Sequence, residues 1–254
     1  MEIWSDVVCP WCAIGRARFA SALAGFGHRD AVEVRWRSFE LDPYAPRERP
    51  GPLDEHLAAK YGMPLEKARE MQRQMTGTAA AEGLEFRFDR ARAGNTFDAH
   101  RLLHHAVETG GPAAQDRLKG ALMRAYLTDG EPIGDPEALV RVAAGSGLDA
   151  DEARTVLESD RHADDVRSDE LQARRYGITA VPFFVIDTRY GVAGAQPADV
   201  LREALDTAWA REAQAAQAVQ TAQAAQAAQT QPPSAQVPAG GDGGEDCTDG
   251  SCAI

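Results

Sequence analysis

No run of about 18 apolar residues occurs in this 254-residue chain, which excludes an ordinary membrane-spanning helix and predicts no membrane partner. No basic and apolar leader precedes the first predicted strand, so the expected location is cytoplasmic. Basic residues are in deficit. The formal charge is −12, and a general nucleic-acid binder needs excess Lys and Arg on one face, so no nucleic-acid partner is expected. Residues 213–254 hold four acidic and no basic residues, which leaves −8 on the rest, so the body is acidic in its own right. Cysteine is scarce, with four residues. In a cytoplasmic setting, paired cysteines point to catalysis, redox sensing or metal binding rather than to structural disulfides. Hydrophobic residues at 44% are ordinary for a globular core, in one large domain or two small ones.

Cys9-Pro10-Trp11-Cys12 places two thiols one helical turn apart, directly after the extended run Glu2-Ile3-Trp4-Ser5. This spacing suits a reversible dithiol/disulfide couple. A helix beginning at the first cysteine leaves unpaired backbone N–H groups there, which favour a thiolate and make Cys9 the expected nucleophile. Pro10 fits the first helical turn, and Ile14, Phe19, Leu23 and Phe26 would bury one helix face and hold Cys12 beneath Cys9. Cys12 is then the expected resolving thiol. The same C-x-x-C is also half of a structural zinc site. No second C-x-x-C follows at finger spacing, and a four-thiolate site would have to recruit Cys247 and Cys252.

Val32, Val34 and Trp36 alternate with charged residues, predicting a strand that completes a β-α-β start. From Pro43 a proline-rich connection leads into helical patterns for more than a hundred residues. Helices are expected near 53–62 and 64–81, from Asn95-Thr96 through Ala99, Leu102, Leu103, Ala106 and Val107, and around Leu118, Leu122 and Tyr126. Asp135-Pro136 and Asp149 with Glu152 mark two further starts. Residues 182–186 and 190–193 read as a hairpin, and Pro197 opens a helix through Leu201, Leu205 and Trp209.

Together, residues 5–15 around the C-P-W-C, Asn95-Thr96 with Ala99-His100-Arg101-Leu102, and residues 177–184 ending in Val181-Pro182-Phe183-Phe184 resemble the DsbA-like branch of the thioredoxin superfamily, and within it the FrnE-like proteins. The resemblance covers about residues 1–212. It implies an α/β, thioredoxin-like fold with an inserted all-helical subdomain. The thioredoxin-like domain would be residues 1–42 and 177–212, the insert 43–176, and a flexible Ala/Gln-rich tail 213–254. It further implies a cis Val181-Pro182 bond, with Pro10, Trp11, Val181 and Pro182 contacting substrate. The implied activity is thiol-disulfide exchange on protein or small disulfide substrates, with a thioredoxin- or glutathione-type electron partner and no dissociable organic cofactor. Periplasmic DsbA proteins commonly have histidine where this chain has Trp11, so a less oxidising couple is expected here.

Residues 213–231 are almost entirely Ala and Gln, compatible with either a helical extension or a tether. If residues 213–246 were coil, their root-mean-square span would be about 30 Å, enough for the tail thiols to reach Cys9. Cys247 and Cys252 are therefore the expected second redox pair, against plain exposed thiols or a soft-metal site. His100 and His104 lack the glutamate of H-E-x-x-H, and no metal role is expected for them. His100 reads as packed or hydrogen-bonded, and His104 and His105 as exposed. Asp6 reads as a backbone cap or a proton carrier beside Cys9, and Tyr126 and Trp209 as core. The rival activities are a glutathione-dependent isomerase or transferase of the same architecture, and a chaperone-type protein-binding module.

Overall fold

Strand β1 (Glu2–Ser5) sends Ile3 and Trp4 to opposite faces, and both are fully buried, so the sheet is covered on two sides. It pairs in parallel with β2 (Arg35–Ser38) and antiparallel with β3 (Phe183–Ile186), which turns back into β4 (Tyr190–Ala193). The strand order is β2-β1-β3-β4. Asp187 and Thr188 both have positive φ, as a tight hairpin turn requires. The computed structural model describes residues 1–230, which fall into two units, Met1–Ala210 and one beginning at Arg211.

On one face Ile3, Phe184 and Ile186 pack with Phe19 of α1 (Pro10–Ala24) and with Leu201 and Leu205 of α8 (Ala198–Thr230). On the other, Trp4 and Val185 pack with Ala173 of α7 (Ala163–Arg175), and the Trp4 indole donates to the Asp169 carbonyl at 3.0 Å. Between β2 and β3 the chain also forms α2 (Leu53–Tyr61), α3 (Leu65–Ala81), α4 (Phe97–Arg124), α5 (Pro136–Gly145) and α6 (Ala150–Glu158). A third apolar cluster joins these helices to the start of α1: Cys12 and Ile14 pack among Leu102, Leu118, Leu122 and Tyr126.

Local chemistry sets the helix starts. Asp135 accepts from the Ala138 amide ahead of Pro136, and Asp149 accepts from the amides of Asp151 and Glu152. At α4 the capping side chain is Asn95, whose carbonyl oxygen accepts from the Phe97 amide. Gly111 (φ 68, ψ −173) followed by Pro112 kinks α4, so the helix expected around Leu118 is its second half. The open edge of β2 is closed by side chains. Gln115 both donates to the Trp36 carbonyl and accepts from its amide, and the Asp169 carboxylate accepts from the Ser38 amide.

Two expectations need correction, and one open alternative is decided. The strand expected from Val32 begins at Arg35, whose amide donates to Met1 O, because the 3₁₀ turn Arg29–Ala31 runs up to Val32 and the Glu33 carbonyl is taken by the Met1 ammonium at 3.0 Å. Trp209 is 40% exposed and stacks on His28 with ring centroids 4.2 Å apart, so it covers the core edge without entering it. Residues 213–230 are helical, so the coil span does not apply to them.

Glu40 tests the seam between α7 and the sheet. Its buried carboxylate accepts from Arg167 at 2.6 Å, and Glu170 accepts from the same guanidinium nitrogen at 2.8 Å. Burial, and then the Glu170 carboxylate, raise the pKa of Glu40 to about 7 against the opposing pull of Arg167. A raised carboxyl pKa contributes stability that is full below the unfolded value and is lost as pH rises through about 7. Urea midpoints should therefore fall between pH 4.5 and pH 7 in the wild type and fall less in Glu40→Gln. Parallel profiles would contradict the shift.

Candidate active site

The dithiol stands where β1 hands over to α1. Cys9 is the N-cap of α1 in an extended conformation (φ −85, ψ 114), and Pro10 follows at the first helical position. The amides of Cys12 and Ala13 fold back onto the Cys9 carbonyl at 3.1 and 3.2 Å, closing the turn. Both cysteines are thiols; Cys9 is 5% exposed and Cys12 fully buried. The Cys9 thiol donates to the Val181 carbonyl at 3.8 Å, and the Val181-Pro182 peptide bond is cis. Gly15 lets this loop approach: a Cβ there would come within 2.9 Å of Pro182 Cγ.

A buried polar group lies behind the pair. Asp6 accepts from the Leu41 amide at 2.8 Å, and its other oxygen is 3.3 Å from His100 Nε2. Lys119, fully buried on α4, donates to the Ser5 carbonyl at 3.1 Å. Burial pushes the Cys12 thiol well above its ordinary pKa, Cys9 adds to this, and the Lys119 charge opposes it. Burial lowers Lys119 to about 8, against the attraction of Cys12 and Asp6. For Asp6, burial works upward but is outweighed by His100, the Leu41 amide and Lys119, which hold the carboxyl below its usual value. Burial lowers His100 despite Asp6. Neutral pH thus sets an ionised Asp6 beside a neutral imidazole, with a lysine near its own titration point next to Cys12.

A cavity of about 370 Å³ opens over Cys9. Of the residues expected to contact substrate, Pro10, Trp11 and Val181 line it with Cys9, while Pro182 is buried. Helices α2 and α3 supply Leu57 and Met75, with Phe88 and Tyr126 behind them and Arg49, His56 and Lys60 as the basic groups. Trp11 is 44% exposed and so presents its ring at the lip.

Sequence reading missed Lys119. Its signal was spacing: it shares a helix face with Leu122 and Tyr126, apolar positions among which a lysine needs a partner. His100 and His104 do not converge. His100 meets Asp6, while His104 reaches Asp169 at 3.0 Å and Ser38 Oγ at 3.1 Å. The expectation that His104 and His105 are exposed is wrong: His104 is only 12% exposed and His105 is buried. The Asp6 carboxylate does cap a backbone amide, that of Leu41, far along the chain. Cys247 and Cys252 lie outside the described residues.

The Bacillus subtilis protein YwbO is 29% identical over 211 residues, spanning 81% of this chain and 94% of its own length. SCO1869 from Streptomyces coelicolor, described as a probable DsbA oxidoreductase, has a crystal structure 49% identical in sequence with a TM-score of 0.78 over 82% of this chain and 89% of that one. The cytosolic disulfide reductase DsbM from Pseudomonas aeruginosa, solved with GSH, shares the fold at 19% identity and a TM-score of 0.57, over 81% of this chain and 96% of that one. Residues 1–206 match the family model of the DSBA-like thioredoxin domain, and the chain belongs to that family.

Proposed function

We propose that the chain is a cytoplasmic thiol-disulfide oxidoreductase in which Cys9 attacks, Cys12 resolves, and Pro10, Trp11, Val181 and Pro182 shape the substrate cleft. The observation that carries this reading is Cys9 at the cavity wall against the Val181 carbonyl, with Cys12 buried beneath it. In the reducing direction, the Cys9 thiolate attacks one sulfur of a substrate disulfide. The substrate S–S bond breaks, a Cys9–substrate disulfide forms, and the departing thiolate takes a proton. Cys12 gives up its proton and attacks Cys9; the intrachain disulfide forms and the second substrate thiolate leaves and is protonated. Two electrons and two protons have then passed to the substrate.

Burial makes the Cys12 thiol hard to ionise, and Lys119 favours its thiolate as it forms. The cavity volume suits a small disulfide or one segment of a protein substrate. Glutathione in DsbM supports a glutathione-type electron partner, and the cytosolic description of that enzyme supports the cytoplasmic location. The domain division 1–42 with 177–212, 43–176 and 213–254, and the FrnE-like placement within the family, belong to the same reading. Mapping the products after reduced protein meets one equivalent of a disulfide-bonded peptide tests it. A Cys9–Cys12 disulfide with a fully reduced peptide is expected; reduced peptide with those two cysteines unpaired would overturn it.

Cys247 and Cys252 extend the proposal as a second pair that exchanges disulfides with the first. Support for this comes from the C-x4-C spacing alone. Cys247→Ser with Cys252→Ser should change turnover or the resting oxidation of Cys9 and Cys12. Identical turnover and identical resting oxidation would remove the relay.

A further inference from the structure

We infer that His105, Glu108 and His162 form a binding site for a divalent cation of the zinc class, built between α4 and the start of α7. None of the three lines the cavity over the dithiol. His105 and Glu108 are three residues apart on α4 and share a face. His162, in the left-handed conformation (φ 62, ψ 8), brings its ring to them from the residue before α7.

His162 Nε2 lies 3.2 Å from Glu108 Oε2, and His105 Nδ1 lies 4.0 Å from the same oxygen. All three ligand atoms fall within 4.8 Å of one another. Two nitrogens sharing a tetrahedral zinc at its usual bond lengths stand roughly 3.4 Å apart, so modest side-chain rotation closes the set.

The two imidazole nitrogens supply the second observation. His105 is 3% exposed at its side chain and His162 11%, and neither His105 Nδ1 nor His162 Nε2 has a hydrogen-bond partner among the described residues. The other nitrogen of His162, Nδ1, is 2.8 Å from Asp165 Oδ2. A carboxylate accepts, so Nδ1 carries a proton toward Asp165, and metal binding takes the tautomer in which Nε2 offers its lone pair on the Glu108 side. This is the outer carboxylate–imidazole arrangement that orients a metal-binding histidine. A bound cation satisfies both buried nitrogens and the Glu108 charge together. Two imidazoles and one carboxylate match a borderline ion such as Zn²⁺, with at least one position left for water.

Arg161 competes. Its guanidinium is 3.5 Å from the same Glu108 oxygen and 3.2 Å from Glu152, so on loading it would give up Glu108 and keep Glu152. Weakening this competitor should tighten cation binding.

The test uses full-length protein carrying Cys9→Ser, Cys12→Ser, Cys247→Ser and Cys252→Ser, so that no thiolate takes metal. Dialysis against Zn²⁺ with metal analysis should find one ion per chain. His162→Ala and His105→Ala should each abolish it with unchanged circular dichroism, Asp165→Asn should weaken it about tenfold or more, and Arg161→Gln should strengthen it. If the serine background does not fold, the wild type still decides, since His162→Ala must lower its zinc content by one ion. Absence of zinc from the folded serine-substituted protein, or equal zinc in the His162→Ala protein, would overturn the site.

Discussion

Cys12→Ser is expected to turn a catalyst into a trap, with Cys9 held as a mixed disulfide on its substrate and released only by an added thiol. Cys9→Ser should instead abolish exchange, by roughly 10³-fold or more, because the remaining thiol is fully buried and cannot meet a substrate. The asymmetry follows from burial: Cys9 faces the cavity and Cys12 lies under it. The double substitution should be no slower than Cys9→Ser alone, since the two thiols act in one sequence. Non-reducing mass analysis with a disulfide-bonded peptide reads all three variants. A stable adduct in Cys9→Ser protein, formed through Cys12, would reverse the assigned roles.

Lys119→Met should slow the resolving step specifically. The lysine charge opposes the upward push of burial on Cys12, so its loss raises that thiol further, and each pKa unit costs about tenfold in the thiolate available to attack. The mixed disulfide should persist longer, and its formation by Cys9, which feels the Lys119 charge less than Cys12 does, should slow by less. Sign and pH follow from Lys119 itself, lowered to about 8: the wild-type advantage is full below that pH and fades above it as the charge is lost. Rapid quenching with mass analysis from pH 6 to pH 9.5 measures the ratio. A wild-type-to-variant ratio of resolving rates that stays constant across that range would exclude an electrostatic role. A urea midpoint taken alongside separates this from the stability lost when the Ser5 carbonyl loses its partner.

Features encoded within a few residues are legible in the sequence. The strand before Cys9, Pro10 at the helix start, the Asp135 and Asp149 caps and the 182–193 hairpin each depend on neighbours in sequence. The polar groups behind the dithiol depend on distant ones. Asp6 finds His100 on α4, and Lys119 finds Ser5 on β1, pairings that no local spacing marks. His104 and His105 read as exposed because their cover is distant in sequence: His104 meets Asp169 of α7, a helix whose stripe is weak, with only Val166, Asp169 and Ala173 buried, and the His105 ring lies 5.9 Å from that of His162 just before it. The start of α7 is equally hidden, since His162 precedes it without a capping side-chain bond. Trp209 errs the other way: a large aromatic at helical spacing suggests core, but α8 leaves it at the rim against His28.

Reduction potential, read by equilibrating the protein in glutathione buffers and mapping all four cysteines by mass, bears most directly on thiol-disulfide exchange at Cys9 and Cys12. A reversible Cys9–Cys12 disulfide is expected, at a potential more negative than in a Trp11→His variant, because the added ring would stabilise the reduced form. Failure of these two cysteines to pair at any glutathione ratio would contradict the assigned chemistry.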